Sequence, residues 1–406
     1  MAPEPKPRAG GPTLREGWAH IAACFVAIFT AYSTAFMLGP MLDAMGSELG
    51  MSVSAMGQLA ALTFVPWAIS APLVGPLSDR YGRKPVLLIG LAGLSLSSLI
   101  GSLAPDYLTL VGCRLLTGVF GGCVPPSCIA SVGDRFVGRT RGNALAVAGS
   151  GISASLLAGL PVLAYLTDRL GWRGGFVLAG GFGLCACLFV AWAFPPKGRT
   201  APPLSYLGSF AWMRLAPPWY IVSGNVLERL ILSAFLTYVA VLLLRRYAIS
   251  LSAVAGLLTV MSIGTVIGGL AGGPLAGFRR RFQLIVALLL IQGGLMAFQF
   301  SLAPPLALAV AAGFLFSIVS QMNRPVVMDT LVTLAPRSRG AIIGFYATSN
   351  QVGQTLGAAV GGLAIAWGGI EAVGWLAAAA GVGGALLYGQ ILRKDAGSEA
   401  LRLPGR

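Results

Sequence analysis

Glu228 and Arg229 stand side by side in an apolar stretch that runs from 218 to 243, some ten residues in from its nearer end. A carboxylate in such surroundings is a group that can take up and release a proton near neutral pH, which makes Glu228 the foremost candidate for a proton carrier. The competing reading is an ion pair with a purely structural job. Arg114 poses the same question inside the stretch 108–130, ahead of Gly118, Gly121 and Gly122. An arginine at the centre of a membrane span costs at least about 2.5–3.5 kcal/mol, so it normally faces a cavity or a partner. It either couples or binds substrate, or its side chain reaches the outer interface about seven residues away. Arg324 follows Gln321 and Asn323 at the close of another stretch and reads either as a cytoplasmic interface anchor or, with Arg114 and Arg229, as a cation for an anionic cargo.

The remaining polar side chains within apolar stretches are the material for a substrate cavity. They are Tyr32, Ser33 and Thr34 in the first stretch, Trp67 in the second, and Asn225 and Tyr238 beside Glu228 and Arg229. Tyr346, Asn350 and Gln354 recur at i, i+4 and i+8, so a helix puts them on one face, with Gln351 alongside. Amides inside a span serve interhelical hydrogen bonds more often than ligands, and both readings stay open for this stripe. His20, the single histidine, sits at the start of the first stretch and reads as an interfacial bystander. The six cysteines lie in apolar stretches without metal spacing and read as small buried hydrophobes. Neither a metal cluster nor a phosphate loop nor a nucleophile–base set is evident, so an enzyme is not expected, and no cofactor.

The elements that must position these residues follow from composition. Of 406 residues, 10% are charged and 56% hydrophobic, against about a quarter charged in a soluble domain. Such a chain cannot cover itself with a water-compatible surface, and lipid is its expected solvent. Its net charge of +15 is clustered between apolar stretches of about 20 residues, which argues against nucleic acid as a partner. We place spans at 18–40, 55–75, 86–104, 108–130, 143–166 and 174–194, then at 218–243, 252–277, 283–302, 304–327, 341–367 and 370–392. All must be helices, because hydrocarbon offers nothing to an unpaired backbone group. The fifth and eleventh are the weakest in hydropathy.

With the N-terminus inside, the clusters around Arg83, Arg141, Arg199, Arg280 and Arg339 all fall on the cytoplasmic side. Only Arg169, Arg173, Arg245 and Arg246 then lie outside. This asymmetry predicts cytoplasmic termini. The first stretch is too long for a cleavable signal sequence. The expected division is a tail at 1–17, a six-helix bundle at 18–194, a proline-rich cytoplasmic linker at 195–217, a second bundle at 218–393 and a tail at 394–406. The bundles repeat at an offset of 198 residues: Gly75-Pro76-Leu77 recurs as Gly273-Pro274-Leu275, and Arg141-Gly142 as Arg339-Gly340. The small residues Gly151, Ser155 and Gly159 match Ser349, Gly353 and Gly357, a spacing that lets helices pack closely. Parallel halves of this kind place a substrate site at their interface near the midplane.

The loop after the second span reads Gly75-Pro-Leu-Ser-Asp79-Arg80-Tyr-Gly82-Arg83-Lys84. Every fixed position of the loop signature G-x-L-a-D-R-x-G-R-K is filled, and on it the chain resembles the major facilitator superfamily over roughly 18–393. The resemblance implies an all-α fold of 12 transmembrane helices in two parallel six-helix repeats around a central cavity. It also implies a gating loop in which Asp79 latches onto the helix opening near Gly340. Arg114 ahead of a glycine looks like the family's second signature. Helix 5 departs from the antiporter pattern, because Ser155-Leu156 replaces its Gly-Pro pair and Pro161 lies over a turn away. The implied function is secondary transport of a small molecule in the bacterial inner membrane, by a monomer driven by the proton gradient. Two cargoes are open: efflux of a drug-like compound or metabolite by antiport, and uptake of a small organic anion. A non-transporting sensor is a third and weaker reading.

Overall fold

The computed structural model describes residues 17–136, 138–194, 216–275, 280–334 and 339–400. Residues 195–215 of the proline-rich linker fall outside the described residues, as do both chain termini, whereas Ala216 and Pro217 already open the helix that follows. Among the described residues the chain is a bundle of helices that crosses the membrane twelve times. In the first half, α1 is Trp18–Phe36 continued by Leu38–Leu49, α2 is Val53–Tyr81, α3 is Arg83–Ser102, and α4 is Tyr107–Gly121 continued by Val124–Arg135. Helix α5 opens with Gly138–Gly149 and runs on to Gly171, where the positive φ of 71° turns the chain into α6, which ends at Ala193. In the second half, α7 is Ala216–Tyr247, α8 Leu251–Leu275, α9 Arg281–Ser301, α10 Leu306–Leu334, α11 Arg339–Gly368 and α12 Glu371–Ala400.

The crossings are longer than hydropathy suggests. Helix α1 covers 32 residues, Trp18–Leu49, rather than 18–40. Pro40 does not end it because it sits in the first turn of the continuing segment, where no intrahelical N–H is required. At about 1.5 Å per residue α1 outreaches the roughly 30 Å hydrocarbon layer, so its last turns lie in the interface. Ten helices are apolar and long enough to span, and one of them, Thr140–Ala193, contains two crossings. Helix α11 lies outside that set, because polar side chains from Ser349 to Gln354 line it. Asp106 starts α4 by accepting the N–H of Thr109 at 2.8 Å.

Small residues set the packing in both halves alike. A side chain at Gly151 would come within 2.6 Å of the Phe25 carbonyl, and one at Gly159 would strike Ser33, so α5 lies directly on α1. Likewise Gly353 leaves only 2.5 Å to the Val226 carbonyl and Gly357 abuts Leu230, so α11 lies directly on α7. Residues 155–159 of α5 form a π-turn at the step where the antiporter pattern is missing. The six cysteines are free, but Cys185 is exposed and Cys187 half-buried. The expectation that all six are buried is corrected for these two. Their helix lies at the rim of the bundle, where lipid accepts an apolar thiol as readily as protein does.

The halves meet through α2 with α11, α5 with α8, and α1 with α7. Hydrogen bonds and an ion pair that join them gather at the end where α1 closes and α2 opens. Ser54 donates to the Gly362 carbonyl at 2.6 Å, Gln58 to the Ala359 carbonyl at 3.1 Å, and Arg245 pairs with Asp43 at 2.6 Å. The same end carries the Arg173–Glu48 and Arg246–Glu371 pairs.

Candidate transport cavity and gating loop

The signature loop between α2 and α3 lies at the opposite end. Gly82 has φ 98° and ψ 149°, a region open in practice to glycine alone, and this permits the tight passage from α2 to α3. Arg83 pairs with Asp79 at 2.5 Å and reaches Asp134 of α4 at 3.1 Å. Lys84 donates to the last carbonyls of α6, those of Ala191 and Phe194, at 2.7 and 2.8 Å. The signature therefore ties four helix ends of the first half together. Arg80 is exposed. In this state the partner of Asp79 is Arg83; the side chains that open α11, around Gly340, lie outside the described residues.

Glu228 and Arg229 occupy the middle of α7, with 1% and 8% of their side chains exposed, and their charged groups meet at 2.6 Å. Ser320 of α10 donates to the other carboxylate oxygen at 3.3 Å. Arg229 then opens onto a small cavity between the halves, about 30 Å³ in this state. That is room for about two water molecules, well below the roughly 300–1,000 Å³ of small-molecule sites. Tyr32 of α1, Gln321 and Arg324 of α10, and Asn350 and Gln354 of α11 supply its polar lining. Phe36, Leu156 and Leu236 supply apolar wall.

Of the residues singled out from sequence, Tyr32, Arg229, Asn350 and Gln354 thus come together. Tyr346 is buried one turn before Asn350 on α11, beside Arg229. Asn225 lies behind the lining and orients it, donating to Asn350 at 2.9 Å and Ser349 at 2.7 Å. Trp67 backs Tyr32, their rings 5.4 Å apart. Tyr238 is away from the cavity, donating to the Ala358 carbonyl at 2.6 Å where the halves close. Each of these three has a packing job that hydropathy cannot tell from lining.

Arg114 is not part of this cavity. It is fully buried inside the first half, donating to the Thr34 carbonyl at 3.2 Å, with its guanidinium 4.8 Å from the Phe176 ring. Complete burial also excludes the snorkelling reading, because the side chain is enclosed by α1 and α6. Two of its nitrogens have no partner among the described residues. We expect Arg114→Ala to lower stability by about 1–3 kcal/mol, through loss of the contacts to Thr34 and Phe176, and to leave ligand binding in the central cavity intact. Melting curves and ligand binding on the same sample check this. Weakened binding in a variant with an unchanged melting curve would place Arg114 in the binding site.

Arg324 and Gln321 both belong to the cavity wall. Arg324 faces the cavity and is not an interface anchor at the helix end, because α10 continues for ten residues beyond it. The readable signal was their i, i+3 spacing, which sets both on one helix face with Ser320 adjoining. His20 is buried, hydrogen-bonded to Ser131 at 2.8 Å and packed on Phe194, which joins α1 to α4 and to the end of α6.

Comparison with known proteins agrees with this architecture. The Major Facilitator Superfamily model matches residues 24–244 and 221–402. An uncharacterised MFS-type transporter, YceJ of Bacillus subtilis, is 25% identical over 349 residues, 83% of this chain and 87% of that protein. The gallate transporter of Pseudomonas putida is 32% identical over 181 residues, 44% of this chain and 40% of that protein. A bacterial homologue of the human lysosomal transporter Spinster, solved in an inward-facing and occupied conformation, superimposes with a TM-score of 0.76 at 17% identity. The superposition covers 93% of this chain and 97% of that one, and it shows a shared fold. The chain is a multi-pass membrane protein that belongs to the Major Facilitator Superfamily, a family of transporters rather than enzymes.

Proposed function

We propose that the chain is a secondary active transporter that moves a small molecule by alternating access and couples it to proton movement through Glu228. The observation that carries this reading is the buried Glu228–Arg229 pair, set directly behind a cavity between two halves that are closed against each other at one end. A carboxylate that can exchange its guanidinium for a proton changes the charge of the cavity by one unit, which is what coupling requires. The proton gradient supplies the energy and no cofactor is involved; the lipid bilayer and the cargo are the partners, and a monomer contains the whole site.

Orientation follows from the positive-inside rule. The end bearing Arg83 and Lys84 is cytoplasmic in a bacterial inner membrane, with both termini inside, so the Asp43–Arg245 end is the outer one. The structure described is then the state closed to the outside. Asp79 serves the opposite state, where its charge holds the positive N-terminus of α11. Such a contact is worth up to about 2 kcal/mol, so its loss shifts the balance between access states by up to roughly 30-fold. Asp79→Asn should therefore insert and fold normally and transport severely less. Normal transport by a well-folded Asp79→Asn protein would defeat the latch. Between the two cargoes, the gallate transporter's name and the two arginines lining the cavity favour a small organic anion over drug-like export.

A further inference from the structure

The geometry points to a cargo with a carboxylate or similar anionic head held between Arg229 and Arg324, admitted when a proton on Glu228 releases Arg229. This rests on the coupling reading above and gives it a substrate class and an order of events. Both arginines line the cavity, and the acid beside them, Glu228, is already committed to Arg229 at 2.6 Å. Arg324 has no hydrogen-bond or ion-pair partner among the described residues. A site with Arg229⁺, Arg324⁺ and Glu228⁻ carries one surplus positive charge in low-dielectric surroundings, which an anion neutralises and a cation aggravates. The rest of the wall limits the body of the cargo. Tyr32 and Phe36 offer ring faces, and Gln354 holds a side-chain oxygen without a hydrogen-bond partner among the described residues. A small planar molecule bearing a hydrogen-bond donor matches these surfaces.

Proton and anion enter together for a geometric reason. An incoming carboxylate competes with Glu228 for Arg229, whose Nε the glutamate now holds. When a proton binds the Glu228 oxygen facing Arg229, that ion pair breaks and Arg229 is free to turn to the anion. The other Glu228 oxygen keeps Ser320. The charged and titratable groups around Glu228 are Arg229 on its own helix, Arg324 on α10, Tyr346 on α11, Tyr388 on α12 and, through Arg229, Tyr32 on α1. The arginines are the cations among these, and Glu228 is the acid. The coupling so built is symport, because proton and anion stabilise each other's binding, whereas antiport needs them to compete.

The test uses the purified full-length protein and four probes of one shape: benzoate, benzenesulfonate, benzamide and benzylamine. Binding is measured between pH 6 and pH 8. The two anions should bind at least about tenfold more tightly than the amide and the amine, and their affinity should fall as pH rises. Arg324→Gln should weaken the anions at least about tenfold without changing the amide, while Arg324→Lys keeps part of the affinity by keeping the charge. Glu228→Gln should bind the anions at every pH as the wild type does at the acid end. The anion class is overturned if neither anion binds better than benzamide, or if Arg324→Gln with an unchanged melting curve binds them normally. Affinity independent of pH in the wild type overturns the shared role of Glu228 while leaving the anion site standing. Anion binding with the full pH response but without flux in proteoliposomes overturns the transporter reading instead.

Discussion

Glu228→Gln should abolish uphill transport while leaving exchange intact. In proteoliposomes with an interior one pH unit more alkaline, one-proton coupling sustains about tenfold accumulation, because each pH unit is worth about 1.36 kcal/mol. Radiolabelled benzenesulfonate suits the assay, since a permanently charged anion does not cross the bilayer unaided. The wild type should approach the tenfold limit, and the glutamine variant should stop at equal concentrations inside and out. The amide cannot carry a proton, but it also cannot hold Arg229 as a carboxylate does, so the binding site stays open and counterflow continues. Removing Glu228 leaves Arg229 without its counter-ion, so a lowered melting temperature is expected alongside. Accumulation equal to wild type would remove Glu228 from the coupling step.

A second large effect is expected where the halves close. Gly39 of α1 lies against α7 so tightly that a side chain would come within 2.5 Å of the Leu236 carbonyl, and a side chain at Gly57 of α2 would strike the Tyr238 hydroxyl. A backbone carbonyl cannot move aside as a flexible side chain can. Both contacts run between halves, so Gly39→Val burdens the state closed at this end and spares the packing within each half. Overpacking costs about 1–3 kcal/mol, and an energy of that size shifts a two-state equilibrium by roughly 5- to 150-fold. Spin labels on cysteines replacing Asp43 and Arg245 should then report longer distances than in the parent. Gly181→Ala, at a position with open space around it, should change nothing. An unchanged distance distribution in Gly39→Val would mean that this contact does not govern closure.

The sequence carries the fold far more fully than the site. Spans are legible because hydrocarbon admits only apolar helices of a given length, and the repeat is legible because both halves solve the same packing problem with small residues at matching places. Gly151 and Gly159 meet α1 as Gly353 and Gly357 meet α7. Helix ends are less legible: interfacial turns such as those of α1 beyond Pro40 lie outside the hydrocarbon and leave no hydropathy signal. For the site, hydropathy locates polar residues within spans but not the direction in which they point. Tyr32, Arg229, Asn350 and Gln354 converge, whereas Arg114 turns into the first half and Tyr238 into the closed end. Arg324 shows the opposite case. Its place near the close of an apolar stretch suggested an interface, and only the further turns of α10 put it at the depth of the cavity.

One measurement bears most directly on the shared use of Arg229: the proton released or taken up when an anion binds. Benzenesulfonate does not titrate near neutral pH, so any proton that accompanies it must go to the protein. In lightly buffered solution near pH 7, a pH indicator should show uptake approaching one proton per molecule bound to the wild type, and none with Glu228→Gln. Saturable binding to the wild type with no proton uptake from pH 6 to pH 8 would contradict the claim that Glu228 and the cargo share Arg229.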